Sequence, residues 1–297
     1  MNHKPSTVLL LIIVISVLSG IATITGIYSD GGPGKYIYET IHGGTVQIYG
    51  QGVYKHMTPD VAIQGKAQDV ITLLVAIPLM LISIPGYFRK IIKWHFILTG
   101  TIAYIFVTYL FYMAMGTYNE LFLIYVSLTG VSFFALLKLV FSLISVKDFI
   151  HFSTDTPVKI TGGFLMFNAV VIGMMWLGVV IPPLLDGSIY PTSLHHYTTL
   201  IVQGFDLGLL LPISFISGWY LYQKKMTGII TGVPYIVFLS ILMTALSAKI
   251  IAMGLHGINI MPAVTIIPLI NLISIACAAS TLKHMNFKTK NININIS

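Results

Sequence analysis

Two ionisable residues, Asp206 and Lys249, lie inside long apolar runs of the sequence, where charged side chains are rare. Each residue lies some distance from the end of its apolar run that faces the outside of the membrane. Asp206 is about nine residues from that end, roughly 13 Å along a helix, and Lys249 is about six residues from it, roughly 9 Å. A carboxylate at that depth is costly unless it is paired, protonated or hydrated. The two residues predict either an ion pair that fixes helix register or a site for a proton or solute; snorkelling of Lys249 to the interface is a third interpretation.

Further carboxylate and amide side chains stand at the outer ends of apolar runs. Gln68 and Asp69 begin one run and Glu120 begins another. Gln203 precedes Asp206 by three residues, and we expect both side chains to face the interior of a helix bundle. If the helices come together, these residues predict an acidic vestibule suited to a cation or a proton. The alternative is that the carboxylates lie in interfacial water near helix N-termini, where the helix dipole stabilises negative charge.

Three histidines, His195, His196 and His256, fall in the connections on the same side, with Asp186 nearby. Imidazole and carboxylate groups are zinc and copper ligands. Adjacent histidines point their rings apart, however, and neither an H-E-x-x-H nor an H-x-H spacing occurs. The sequence also contains no Walker A loop, G-x-S-x-G or C-x-x-C motif. We therefore predict no metal site and no cofactor.

The composition defines the elements that must hold these residues. Hydrophobic residues make up 56% of the 297 residues and charged residues only 8%, against roughly 45–50% and about 25% in soluble domains. The apolar residues form eight runs of about 20, the length of a helix that crosses a bilayer. This pattern predicts an all-α, polytopic transmembrane helix bundle that occupies residues 1–297 as one membrane domain. The predicted spans are 7–27, 69–87, 93–115, 121–145, 160–183, 198–222, 229–254 and 260–282.

Basic residues divide unequally between the two sides of such a bundle. Twelve lie on the side of the N-terminus: Lys4, Arg89, Lys90, Lys93, Lys138, Lys147, Lys159, Lys224, Lys225, Lys283, Lys288 and Lys290. Four lie on the other side: Lys35, Lys55, Lys66 and Lys249. The positive-inside rule then places both termini in the cytoplasm. Because the basic residues are scattered beside helix ends, they predict a lipid bilayer and not nucleic acid as the partner.

The abundance of Lys, Ile and Asn is typical of AT-rich prokaryotic genomes, so we expect a prokaryotic plasma membrane. The first apolar run is longer than the core of a usual signal peptide and has no convincing small-x-small cleavage site, so we expect it to remain as a span.

One sizeable extramembrane segment, residues 28–68, is predicted on the outside. Residues 45–54 alternate loosely, as in a short hairpin. Thr58 is a predicted N-cap of a helix with Pro59 at its first position, lying at the interface and leading into the second span. The segment is either a lid that packs on the bundle or a binding domain.

The second and sixth spans resemble each other and suggest duplication of four spans. Each begins with an amide and an acid, continues to a proline, Pro78 or Pro212, and ends in an aromatic and basic stretch. Such halves would be related by an axis along the membrane normal. The spacing from acid to proline differs, with nine residues after Asp69 and six after Asp206. We therefore treat a four-plus-four repeat as a possible feature of the bundle.

Other polar and small residues within the spans predict helix contacts. Gly204 and Gly208 form a G-x-x-x-G motif that would pack closely against a neighbouring helix. Asn168 and Asn271 are expected to form interhelical hydrogen bonds. A stripe of three polar side chains on the third span is more typical of a helix contact than of a conduit: Tyr104, Thr108 and Tyr112.

Three stretches resemble segments of functionally uncharacterised prokaryotic polytopic membrane proteins. They are A-Q-D-V-I-T-L-L-V-A-I-P-L-M-L at 67–81, N-E-L-F-L-I-Y-V-S-L at 119–128 and F-D-L-G-L-L-L-P-I-S at 205–214. The resemblance covers the second to seventh spans and implies a multi-pass architecture. It implies no activity or substrate.

Three functions are compatible with these features. The first is a small-solute or ion transporter, proton-coupled through Asp206, with Asp69, Glu120 and Lys249 around an outward vestibule. The second is a membrane-embedded enzyme that uses the outer histidine and aspartate residues as acid, base or metal ligands. The third is a sensor or assembly partner whose outer loop docks another protein.

Overall fold

The computed structural model describes residues 7–153 and 155–287. Lys4, Lys288 and Lys290 of the charge count lie outside these ranges, as do both chain ends. The predicted all-α membrane bundle is confirmed, because eight helices in the described chain are long and apolar enough to cross a bilayer. They are α1 (Thr7–Tyr28), α2 (Pro59–Phe88), α3 (Ile92–Ala114), α4 (Phe122–Ser145), α5 (Val158–Leu185), α6 (Ile201–Tyr222), α7 (Met226–Leu255) and α8 (Ala263–Lys283). The chain is a multi-pass membrane protein.

The connections between helices gather on two opposite faces of the bundle. One face carries residues 29–58, 116–121, 186–200 and 256–262, and we call it the loop face. Lys55 and Glu120 form an ion pair of 2.6 Å there. On the opposite face, strand β3 (Ile150–Phe152) pairs antiparallel with β4 (Met285–Phe287). The connections thus alternate regularly between the faces, as expected for eight consecutive spans.

Residues 29–58 pack on the other connections of the loop face. Strands β1 (Tyr36–Glu39) and β2 (Thr45–Ile48) form an antiparallel hairpin, so the hairpin predicted near residues 45–54 begins earlier in the chain. The ring of His42 stacks on that of Tyr190 at 4.0 Å between centroids. The His196 ring nitrogen Nε2 lies 2.9 Å from the carbonyl oxygen of His56. The segment is therefore held against the bundle by contacts with the connection between α5 and α6.

Helix α2 begins at Pro59, ten residues before the predicted start of the second span at residue 69. The predicted helix at residues 59–68 is continuous with the span and does not form a separate interfacial element. Thr58 has the extended backbone of an N-cap, but its side chain makes no capping hydrogen bond. Its backbone N–H is instead 3.3 Å from the hydroxyl of Tyr197.

Helices α2 and α6 share an interruption of the α-helical hydrogen-bond pattern. Thr72–Ala76 in α2 and Asp206–Leu210 in α6 form π-helical turns. In each turn a backbone N–H donates to the carbonyl oxygen five residues earlier instead of four. The N–H of Ile77 donates to Thr72, and that of Leu211 donates to Asp206. In both helices a proline lies two positions after the last residue of the π turn: Pro78 in α2 and Pro212 in α6. Because proline lacks an N–H and clashes with the carbonyl four residues earlier, a wider turn at this point relieves the conflict.

The two π turns are separated by 134 residues, the difference between positions 206 and 72, and this offset relates the following segments too. Both helices end with a lysine in the left-handed backbone region, Lys90 with φ 58° and Lys224 with φ 59°. The closing hydrogen bonds also match in pairs: Lys90 N–H to Tyr87 O and Ile91 N–H to Gly86 O, Lys224 N–H to Leu221 O and Lys225 N–H to Tyr220 O. The spacing from Pro78 to Lys90 therefore equals that from Pro212 to Lys224.

Helix packing follows the same scheme in the first half (α1–α4) and the second half (α5–α8). Helix α1 packs on α2 and α4, as α5 packs on α6 and α8. Helix α3 lies between α2 and α4, as α7 lies between α6 and α8. Helices α3 and α7 meet each other at the centre. This arrangement supports the four-plus-four repeat considered from the sequence.

The expected close packing through Gly204 and Gly208 is wrong. Both glycines are exposed, and a Cβ at either would have no described atom within 4 Å. The close approach on α6 is made by Gly218: a Cβ there would lie 2.7 Å from the carbonyl oxygen of Gly162. A Cβ at Gly162 would lie 2.5 Å from that of Gly218, so α5 and α6 touch backbone to backbone at this pair.

Candidate functional site

A cavity of about 240 Å³ lies inside the bundle, lined by helices of both halves. Its walls are mainly apolar side chains of α3, α5, α6 and α7. The polar residues that line it are Gln68, Thr108, Tyr112, Asn168, Trp176, Asp206, Tyr235 and Lys249. A mostly apolar cavity with a few convergent polar groups is the usual form of a small-molecule site.

Asp206 is the first residue of the π turn in α6 and lines the cavity. Its Oδ2 accepts a hydrogen bond of 2.7 Å from the indole N–H of Trp176 on α5. The widened turn is held from α7, because the hydroxyl of Tyr235 donates to the carbonyl oxygen of Leu210 at 2.8 Å. The carboxylate therefore faces the bundle interior, and its one side-chain partner in the described chain is neutral.

Lys249 on α7 lines the same cavity. Within residues 7–153 and 155–287 its ammonium has no carboxylate within 4 Å. Asp69 and Asp206 are the acids whose charges act on it from a greater distance. The ion pair between Asp206 and Lys249 that the sequence suggested is thus absent from the described residues, although both side chains reach one cavity.

The polar stripe on α3 contacts α2, as its spacing predicts. The amide nitrogen of Gln68 donates to the hydroxyl of Tyr104 at 2.7 Å and to that of Thr108 at 3.1 Å. Thr72 lies 3.0 Å from the same Tyr104 hydroxyl. Because Thr108 and Tyr112 also line the cavity, the stripe connects the α2–α3 contact to the cavity wall.

Two amide oxygens at the cavity lack partners. Gln68 is 3% exposed and Asn168 is 5% exposed. The Oε1 atom of Gln68 and the Oδ1 atom of Asn168 accept no hydrogen bond from any described residue. Buried acceptors are nearly always paired, and an unpaired one costs about 1–3 kcal/mol. Both oxygen atoms are themselves buried, out of reach of water or a ligand in the cavity.

Asp69 lies next to the cavity in a closed polar site. It is 1% exposed, and the hydroxyl of Tyr54 donates to its Oδ2. The hydroxyl of Tyr112 lies 3.1 Å from its Oδ1 and 3.0 Å from the carbonyl oxygen of Gly65. Burial and the charge of Asp69 raise the pKa of Tyr54 well above its usual value, which keeps this hydroxyl protonated as a donor. Gly26 of α1 makes room for the group, since a Cβ there would overlap the Asp69 carboxylate.

The structure does not assemble the acidic vestibule expected from the sequence. Gln68 and Asp69 lie well along α2, about 15 Å from its start at Pro59, because the predicted helix at residues 59–68 and the second span form one continuous helix. Glu120 is on the loop face, where the hydrogen bond from Lys55 lowers the pKa of its carboxyl group. Gln203 does not line the cavity.

The histidines of the loop face do not form a metal centre in the described chain, where no group of three His, Cys, Asp or Glu side chains could hold an ion. His196 is bound to the carbonyl of His56, and burial lowers its pKa, which favours the neutral imidazole. His195 has a positive φ of 53°, and His256 contacts the carbonyl oxygen of Ala252 on its own helix at 2.8 Å.

Sequence reasoning missed two contributors to this region and expected a different role for a third. Tyr54 stands in the outer segment, far in sequence from Asp69, so no local pattern connects them. Trp176 had a usable signal, because its indole N–H inside an apolar run needs an acceptor. Asn168 was expected to form an interhelical hydrogen bond, but its Oδ1 remains unpaired.

No protein-family model, curated protein or solved structure matches the chain. The resemblance to prokaryotic polytopic proteins therefore stays a prediction, and the membrane architecture rests on the eight apolar helices.

Proposed function

We propose that the protein transports a small solute or an ion across the bilayer, with the cavity as the binding site and Asp206 as the carrier of a coupled proton. The observation that supports this function is a cavity inside the bundle that is lined by a carboxylate, Asp206, and an ammonium group, Lys249. Ionisable groups inside a membrane bundle are costly and usually mark a solute or proton pathway.

Proton coupling through Asp206 follows from its surroundings. Trp176 is neutral, so Asp206 can gain or lose a proton without breaking an ion pair in the described chain. Substrate sites at the interface of two like halves are common in transporters, and here both halves contribute to the cavity wall.

The experiment is flux into proteoliposomes that contain purified protein and a pH-sensitive dye. The panel comprises Na⁺, K⁺, acetate, inorganic phosphate, glucose and leucine. At least one compound is expected to move and to carry protons, and Asp206→Asn is expected to lower its rate at least about tenfold through loss of a charge-assisted contact. Glu120→Gln is the matched control and keeps the wild-type rate. Absence of flux for every compound, or an unimpaired Asp206→Asn variant, refutes the proposal.

We further propose that the loop face is outside a prokaryotic plasma membrane and that both termini are cytoplasmic, on the basis of the charge bias. In a Cys277→Ser background, a membrane-impermeant maleimide added to intact cells is expected to label Ile41→Cys and not Lys147→Cys. Labelling of Lys147→Cys alone would reverse the orientation.

A further inference from the structure

The cavity contains opposite charges that are not paired with each other. Asp206 enters it from α6 and Lys249 from α7, yet they are more than 4 Å apart. Unpaired charges in an apolar interior are unfavourable, because the protein around them replaces little of the solvation that water would give. The cavity therefore has a place for one cationic and one anionic group from outside the chain.

One carboxylate oxygen of Asp206 accepts from Trp176, and the other has no side-chain donor in the described chain. Gln68 and Asn168 also line the cavity, but their unpaired amide oxygens are buried out of reach of a ligand there. Lys249 from α7 is the complementary group, since an ammonium offers three donors and no acceptor.

These groups discriminate between classes of ligand. A bare cation would pair with Asp206 but would meet the like charge of Lys249. A bare anion would pair with Lys249 but would meet the like charge of Asp206. A neutral solute would leave both charges unpaired. A ligand with an ammonium and a carboxylate satisfies all of them.

We infer that the ligand is a small zwitterion with an apolar side chain, of the α-amino acid class. Its ammonium group matches Asp206, and its carboxylate matches Lys249. The remaining wall includes Phe111, Leu239 and Leu242, which suit an aliphatic or aromatic side chain. The volume of about 240 Å³ is below the roughly 300–1,000 Å³ of pockets for drug-sized ligands, as expected for a compound this small.

The role of this ligand as transported substrate rests on the proposed function, so its binding is tested separately from flux. Purified protein in detergent is titrated by calorimetry with L-leucine, L-methionine and L-phenylalanine. The matched probes are 3-methylbutylamine, which is leucine without its carboxylate, and 4-methylpentanoate, which is leucine without its amine. We expect at least one amino acid to bind, and leucine to bind at least about tenfold more tightly than either probe.

Two variants assign the charges. Lys249→Met is expected to weaken leucine at least about tenfold and to leave 3-methylbutylamine unchanged, because that probe has no carboxylate. Asp206→Asn is expected to weaken leucine similarly and to leave 4-methylpentanoate unchanged. Lys66→Met is the same substitution at a lysine outside the cavity lining, and it is expected to bind leucine, 3-methylbutylamine and 4-methylpentanoate as the wild type does. A purely structural effect would weaken all ligands together, which contradicts the assignment.

The outcomes separate the inference from the proposed transport. If no amino acid binds, or if a probe with one charge binds as tightly as leucine, the zwitterion is wrong even where flux of another solute depends on Asp206. If leucine binds with the expected pattern but does not cross proteoliposome membranes, the site stands and the transport function is wrong.

Discussion

Asp69 and Asp206 lie on corresponding helices of the two halves, but their surroundings differ. Asp69 is 1% exposed and accepts a hydrogen bond from Tyr54, with the Tyr112 hydroxyl also within bonding distance. Asp206 is partly buried, faces the cavity and has one indole donor. Both acids thus lie within spans, and access to a cavity distinguishes them.

The offset between the halves relates Asp206 to a residue of a different type in the first half. The position of Asp206, first in its π turn, is taken by Thr72 in the first half. Thr72 is bound to the carbonyl oxygen of Gln68 at 2.9 Å. Thr72 thus has an acceptor within its own helix, whereas Asp206 has a single side-chain donor, Trp176, and lines the cavity. The same backbone thus supports a structural acid in one half and a candidate binding acid in the other.

The largest effect that this comparison predicts is for Gly26→Ala. A Cβ at Gly26 would overlap the Asp69 carboxylate and crowd the Tyr54 hydroxyl, so the closed site must rearrange. We expect a loss of about 3 kcal/mol in the free energy of unfolding, at the upper end for overpacking. Thermal unfolding in detergent measures the change.

Gly20→Ala on the same helix is the control. A Cβ there has no described atom within 4 Å, so alanine is expected to leave stability unchanged or to raise it by up to about 1 kcal/mol through helix propensity. Equal melting temperatures for the two variants would show that Gly26 is not a tight contact and that the Asp69 site is not closed.

The eight spans could be predicted because the length of an apolar run depends directly on bilayer thickness. The start of α2 at Pro59 was also predicted, but its continuity with the second span was not, since residues 59–68 contain polar side chains that lower the local hydropathy. This difference moved Gln68 and Asp69 from a presumed outer edge to the bundle interior.

Asp206 and Lys249 could be selected from depth alone, but their relation could not. Whether two side chains pair depends on helix rotation, and a π turn changes rotation without a distinct hydrophobic pattern. The repeat itself was partly hidden for the same reason, because Asp69 and Asp206 are not at equivalent positions. Alignment of Pro78 with Pro212 brings the π turns and helix ends into register.

Residues of the same type, two asparagines and two glycines, make different contacts in the bundle. Asn271 accepts a hydrogen bond from Thr244 at 3.2 Å, the interhelical contact expected, whereas Asn168 leaves its oxygen unpaired at the cavity. Gly218 makes a close contact and Gly204 does not, although both lie on α6. A single sequence gives residue type and spacing, but the face that meets a neighbour depends on tertiary packing.

A smaller effect is predicted when alanine replaces each acid in turn. Asp69→Ala leaves the buried Tyr54 hydroxyl without its acceptor, while Tyr112 keeps the carbonyl of Gly65 within reach. We expect a loss of about 2 kcal/mol, the cost of one unsatisfied buried donor. Asp206→Ala is expected to change stability by less than about 1 kcal/mol, because water in the cavity can accept from Trp176. Thermal unfolding of the two variants in the same detergent measures both changes. A larger loss of stability for Asp206→Ala than for Asp69→Ala would mean that Asp206 is the structural acid and Asp69 the better candidate for binding.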